Sequence, residues 1–239
     1  MIILLRKRHV AYVLLACCFF AGLSAVLWHG SAAFTAAFAP AAKGLPVVVV
    51  DAGHGGEDGG AVAADGTVES GLNLSIARRV RDLLTFSGVP TAVTRTGEDA
   101  IYDPGSATLR EKKVSDLRNR AELVNGIPDA VLLSIHQNSL PSSPSTRGAQ
   151  VFWNGQEGAR PLAESVQAAL NSSVNAGREK QAAQVPSSVY LMKSINAPGV
   201  LVECGFLSSP EETELLKEPS YQTKLAAAIT AGVLNTDKS

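Results

Sequence analysis

Three short apolar runs in the chain each stop at a residue that can bind a metal or move a proton. Val47-Val48-Val49-Val50 runs into Asp51-Ala52-Gly53-His54, Val131-Leu132-Leu133-Ser134-Ile135 into His136, and Val200-Leu201-Val202 into Glu203. Short β-branched runs bounded by Gly and Pro predict buried strands. Between the first two runs the period changes to that of a helix. Leu72, Ile76, Val80, Leu83 and Leu84 predict a helix from about Glu69 to Phe86, broken by Gly88 and Pro90. Thr91–Thr94 reads as a strand ending near Arg95, and the mixed stretch 96–114, with Pro104 and Gly105, as a surface excursion. Leu117, Ala121 and Val124 mark a helix that Gly126 and Pro128 stop.

Beyond His136 the alternation continues. Gly148–Trp153 reads as a strand, and Leu162, Val166, Ala169 and Val174 as one face of a helix that Gly177 ends. Val189–Met192 reads as a short strand and 199–204 as the strand carrying Glu203. Ser209-Pro210-Glu211-Glu212 supplies a hydroxyl cap, a proline in the first turn and a glutamate three past the cap. A final helix holds Tyr221, Leu225, Ile229 and Val233. Strand–helix alternation predicts one α/β domain, a mostly parallel twisted sheet with helices on both faces, over residues 46–235.

The segment before this body has a different composition. Arg6, Lys7 and Arg8 precede 19 uncharged residues from Val10 to Trp28. Residues 1–29 therefore read as a signal peptide or, given the length of the apolar run, a signal-anchor helix. The basic cluster would stay inside, placing the body outside the cytoplasm, membrane-anchored or secreted. Residues 30–45, rich in Ala, Gly and Pro, read as a linker. Three of the 21 basic and none of the 22 acidic residues precede residue 40, so the chain beyond it carries 18 basic against 22 acidic side chains, a net charge of −4. With no basic run, nucleic acid is not an expected partner. Cys204 is the body's only cysteine, which excludes a disulfide within it. It reads as a small buried strand residue.

Chemistry in open α/β sheets collects beyond the carboxyl ends of the strands. If the three strands are parallel neighbours, two histidines and a carboxylate converge on one sheet edge. The chain has four histidines, and only His54 and His136 belong to the body. A lone histidine is usually a satisfied polar residue, but two at matching strand ends with carboxylates beside them point to a metal-assisted hydrolase. Catalytic zinc takes three ligands of the His/Glu type and keeps one position open. A further carboxylate must carry the proton.

Two glutamates compete as third ligand. Glu57 gives the H-x-x-E spacing of zinc carboxypeptidases, whereas Glu69 lies in the first turn of a helix. Glu57 falls in a glycine-rich loop and the helix end is the more rigid support, which favours Glu69. The loop glycines lack the G-K-[ST] ending and the G-x-G-x-x-G register of phosphate loops. Asn138 could orient a ligand or form a turn. Arg95, Arg120 and Arg147 could meet peptide carboxylates, although ordinary structural pairing is the better reading for Arg120. Phe152 and Trp153 could line a glycan groove, with one of the two in the core.

The blocks from Asp51 to Ala61 with Glu69, from Ser134 to Ser139, and from Val202 to Ser209 resemble, in order, three motifs of the zinc-dependent N-acetylmuramoyl-L-alanine amidases. The likeness runs from about Val47 to Val233 and is nearest the single-domain sporulation and germination branch. It implies that His54, Glu69 and His136 hold Zn2+ and that Glu203 is the general base and acid. It also implies a peptidoglycan substrate, cut at the amide between the muramic acid lactyl group and L-alanine. Two other readings stay open: another extracytoplasmic zinc peptidase using Glu57, and a wall-binding protein with a structural zinc. The short Ser139–Gly148 link offers no helix to plug the site, so control is expected from expression, location or an accessory protein.

Overall fold

The computed structural model describes residues 46–236. The segments read as signal or anchor (1–29) and linker (30–45) lie outside the described residues. Six strands form one sheet: β1 (Val47–Ala52), β2 (Thr91–Val93), β3 (Ala130–Asn138), β4 (Gln150–Trp153), β5 (Ala183–Gln184) and β6 (Gly199–Phe206). Their order is β2-β1-β3-β6-β4-β5, and only the β4–β6 pairing is antiparallel. The expected mostly parallel α/β domain is what forms. Its centre is the β1-β3-β6 trio, the three runs that end in chemistry.

Helices cover both faces because the strands alternate which face they feed. Val48 and Val50 of β1 join a core with Leu72 and Ile76 of helix α1 (Glu69–Phe86). Helix α3 (Ala159–Ser173) adds Leu162 and Val166, and α6 (Pro219–Asn235) adds Leu225 and Ile229. Val49 points the other way, to a smaller core with Ala121 and Val124 of α2 (Leu109–Asn125) and with Leu191 and Met192 of α4 (Tyr190–Ser194). Where α3 crosses α6, a Cβ on Gly232 would lie 2.4 Å from the Val166 Cα, so the crossing requires glycine.

Two local expectations change. Helix α2 begins inside the supposed excursion, where Thr108 and Glu111 form a reciprocal capping box. Its buried side includes Ser115, Asp116 and Arg120, so apolar spacing could not mark its first turns. Val189–Met192 is not a strand; it enters the short helix α4, and a four-residue apolar run does not distinguish the two states. The C-terminal helical region is two helices, α5 (Pro210–Lys217) and α6, because Pro219 starts a new helix where the old one would need an N–H. Ser209 does cap α5, accepting from the Glu212 N–H. Among the described residues no helix is long and apolar enough to cross a membrane.

Candidate metal centre

Parallel register brings the three strand ends level. Asp51 pairs with Ser134 across β1–β3, and His136 pairs with Glu203 across β3–β6. His54 follows β1 by two residues and sits at φ 60°, a left-handed conformation rare for a residue with a side chain. Arg120 Nη2 donates to the His54 carbonyl at 2.7 Å and holds the bend. Glu69, the first residue of α1, is swung onto the same edge, its N–H bonded to the Ala61 carbonyl.

One donor atom from each of His54, Glu69 and His136 lies within 4.8 Å of the others. His54 Nε2 is 3.4 Å from Glu69 Oε2, and His136 Nδ1 is 3.0 Å from Glu69 Oε1. The Ala61 and Gln137 N–H groups and the Asn73 amide also donate to Glu69, fixing its carboxylate. Two glycines leave the room: a Cβ on Gly53 would lie 2.2 Å from the His136 ring, and one on Gly60 2.4 Å from Glu69 Oε2. Burial acts to raise the Glu69 pKa, but its hydrogen bonds and charge pairing with His136 and His54 hold it well below the usual carboxylate range.

Glu203 is the opposite case. Its Oε2 is buried and has no hydrogen-bond partner in a protein interior where such atoms are normally paired. Burial pushes the carboxyl up to about 7; the imidazoles of His136 and His54 oppose this, and the Glu69 charge adds to it. A carboxyl poised near neutrality beside a cluster of nitrogen and carboxylate donors has the properties of a proton carrier.

The N-acetylmuramoyl-L-alanine amidase family matches residues 48–235. The chain belongs to this family. It is 36% identical over 189 residues to the germination-specific N-acetylmuramoyl-L-alanine amidase of Bacillus subtilis (strain 168), covering 79% of this chain and 78% of that one. It is 27% identical to the amidase AmiA of Escherichia coli (strain K12), over 80% of this chain and 76% of that one. Among solved structures it is similar to the CwlD amidase of Clostridioides difficile, determined in complex with the GerS lipoprotein. That match has a TM-score of 0.77 and 33% identity, covering 81% of this chain and 98% of CwlD. The sporulation and germination branch fits these relatives, and the chain is a hydrolase of this kind.

The amidase rests its site on a buried polar layer that sequence reasoning only half identified. Asp51 accepts from Arg120, Thr94 and Ser134 at 2.6, 2.7 and 2.5 Å. Arg120 also binds Asp116 and the Ala52 carbonyl. Arg95 donates to the carbonyls of Ala52, Gly53, Ser70 and Gly97, and burial lowers its pKa to about 10. Arg95 and Arg120 therefore hold the His54 loop. Their signal in the sequence is slight, since arginines in a helix and after a strand look like surface residues.

Other candidates fall away from the centre. Glu57 is exposed and gives both carboxylate oxygens to Lys112. Arg147 pairs with Glu211. Asn138, the last residue of β3, accepts from the Ser139 N–H next to it. Trp153 packs against one core and Phe152 against the other. Cys204 is buried, as expected. Among the described residues the Ser139–Gly148 link has no helix. A cleft of about 130 Å³ opens beside the centre, lined by His54, His136, Lys113, Leu117 and Tyr190 among others.

Proposed function

We propose that this amidase is zinc-dependent, with His54, Glu69 and His136 holding the ion and Glu203 carrying the proton, and that it hydrolyses the amide joining the muramic acid lactyl group to L-alanine in peptidoglycan. One observation carries the reading: three donors of the type zinc prefers converge beside a buried carboxylate oxygen that lacks any partner. When bound, zinc supplies a polarised carbonyl and a more acidic water. Glu203 accepts a proton from the water that adds to the amide carbon and delivers it to the L-alanine nitrogen as the C–N bond breaks. Its elevated pKa suits it to both halves of that transfer. The Asn73, Gln137 and Ala61 contacts keep Glu69 from wandering as charge shifts.

The relatives support action outside the cytoplasm, which agrees with reading residues 1–29 as a signal or anchor that delivers residues 46–235 to the wall. The solved complex of CwlD with a lipoprotein makes an accessory protein the preferred form of control here. A digest of purified peptidoglycan by the zinc-loaded protein, resolved by mass spectrometry beside Glu203→Gln, tests the reading. Free stem peptides with an exposed L-alanine amine, absent in the variant, are the expected result. An unchanged sacculus from protein with one bound zinc, with and without its natural membrane fraction, would favour the wall-binding reading instead.

A further inference from the structure

His54 is the only one of the three proposed ligands carried by a loop rather than by a strand or a helix. His136 is placed by β3 and by its ring lying over Gly53; Glu69 is placed by α1. His54 needs another restraint, and its second nitrogen has one. Nε2 faces Glu69, while Nδ1 lies 3.0 Å from Asp58 Oδ2. A histidine that binds a metal through one nitrogen carries its proton on the other. A carboxylate accepting that proton fixes the tautomer and ring angle and makes the ligand more basic.

Asp58 is itself held. The Gly55 N–H donates to the Asp58 carbonyl at 2.9 Å and the Asp58 N–H to the Gly55 carbonyl at 3.1 Å, so a tight turn returns the carboxylate to its own histidine. Gly55 at φ 142° and Gly56 at φ 56° make that turn possible. Lys113 Nζ then reaches the same Asp58 oxygen at 3.1 Å. Adjacent lysines of α2 thus sort two adjacent acids. Lys112 draws Glu57 outward at 2.6 Å, and Lys113 keeps Asp58 facing inward.

We propose that Asp58 is the positioning residue of the metal centre, steadied by Lys113, and that this pair sets how tightly His54 binds the ion. The inference rests on the zinc reading above. It assigns Asp58 no contact with substrate; the residue acts through His54.

The test is zinc affinity, measured by competition with a chromogenic chelator on the wild-type chain, Asp58→Asn and Lys113→Met. The visible spectrum of the cobalt-substituted forms and the thermal midpoint of the metal-free forms are recorded alongside. Asp58→Asn is expected to raise the zinc Kd about ten- to a hundredfold and to move the cobalt bands, with the metal-free midpoint unchanged. Lys113→Met is expected to raise Kd about threefold, since it loosens Asp58 without removing it. A wild-type chain that fails to bind zinc overturns the metal reading itself. A tight wild type with Asp58→Asn within twofold of it overturns only the present inference. So do a Lys113→Met effect as large as that of Asp58→Asn, and loss of the metal-free folding transition in Asp58→Asn.

Discussion

Asp51 and Glu203 are carboxylates at the carboxyl ends of two strands of one sheet, and they have opposite fates. Both are pressed upward in pKa by burial. For Asp51, Arg120 with the Ser134 and Thr94 hydroxyls outweighs that pressure and brings the group down to about 2. For Glu203 no such donors are present, Oε2 is left unpaired, and the group rises to about 7. The same residue chemistry is held as a fixed anion when its oxygens are saturated and sits near neutrality when one is left unpaired. The protein builds the first kind beneath the second.

The largest effect should come from the vacant carboxylate. Glu203→Gln keeps the shape and removes the proposed proton carrier; kcat/KM for peptidoglycan cleavage is expected to fall about 10²–10⁴-fold. Zinc content by atomic absorption should stay at the wild-type level. Loss of zinc instead would mean that Glu203 is a ligand and that the contrast with Asp51 has been misassigned.

Removing the cation from the saturated layer should come next. Arg120→Met leaves Asp51 and Asp116 buried without their partner and releases the His54 carbonyl. Breaking a buried pair in this way costs about 3–5 kcal/mol, readable as a lower urea midpoint. A loss under about 1 kcal/mol would show that the layer is no more than a surface-type pairing.

A smaller effect follows from pH. The folded pKa of Asp51, about 2, lies below the ordinary aspartate value of 3.8, so as pH falls the unfolded chain binds this proton first. Its contribution to stability is complete above the unfolded pKa and fades as pH falls from about 4 towards 2. Linkage puts that contribution at about 2 kcal/mol. Urea unfolding of the metal-free protein between pH 5 and 2 should therefore be steeper in pH for the wild type than for Asp51→Asn. Parallel curves would count against the saturated state of Asp51.

Glu57→Ala should do least. Its pair with Lys112 is exposed on the acid's side, at 57% side-chain accessibility, and such solvent-screened pairs contribute little. Zinc affinity by chelator competition should be unchanged. A large loss of zinc would restore the carboxypeptidase-like ligand set.

These two carboxylates also mark how much could be read in advance. The strands carrying His136 and Glu203 and the one leading to His54 were legible because their apolar runs are short and bounded by polar residues, and the helix that opens at Glu69 because its apolar spacing is regular. The layer below was not legible. Arg120 is nearly inaccessible at 1% side-chain exposure, yet its neighbours Leu117, Ala121 and Val124 define the helix without it. Periodicity registers apolar side chains and passes over a buried face made of Ser115, Asp116 and Arg120. Asp58 was hidden for a related reason. Spacing pointed to Glu57, and only the turn between Gly55 and Asp58 shows which acid comes back to the histidine.

Cys204 follows Glu203 directly on β6, and it is the only cysteine among the described residues. Its thiol is fully buried, and burial with the adjacent Glu203 charge pushes its pKa up beyond the reach of physiological pH. Thiolate is the form that reacts, so burial and the raised pKa both disfavour reaction of this sulfur in the folded protein. Labelling of that one sulfur also becomes a clock for the opening of the central strand, running only when the sheet beside Glu203 comes apart.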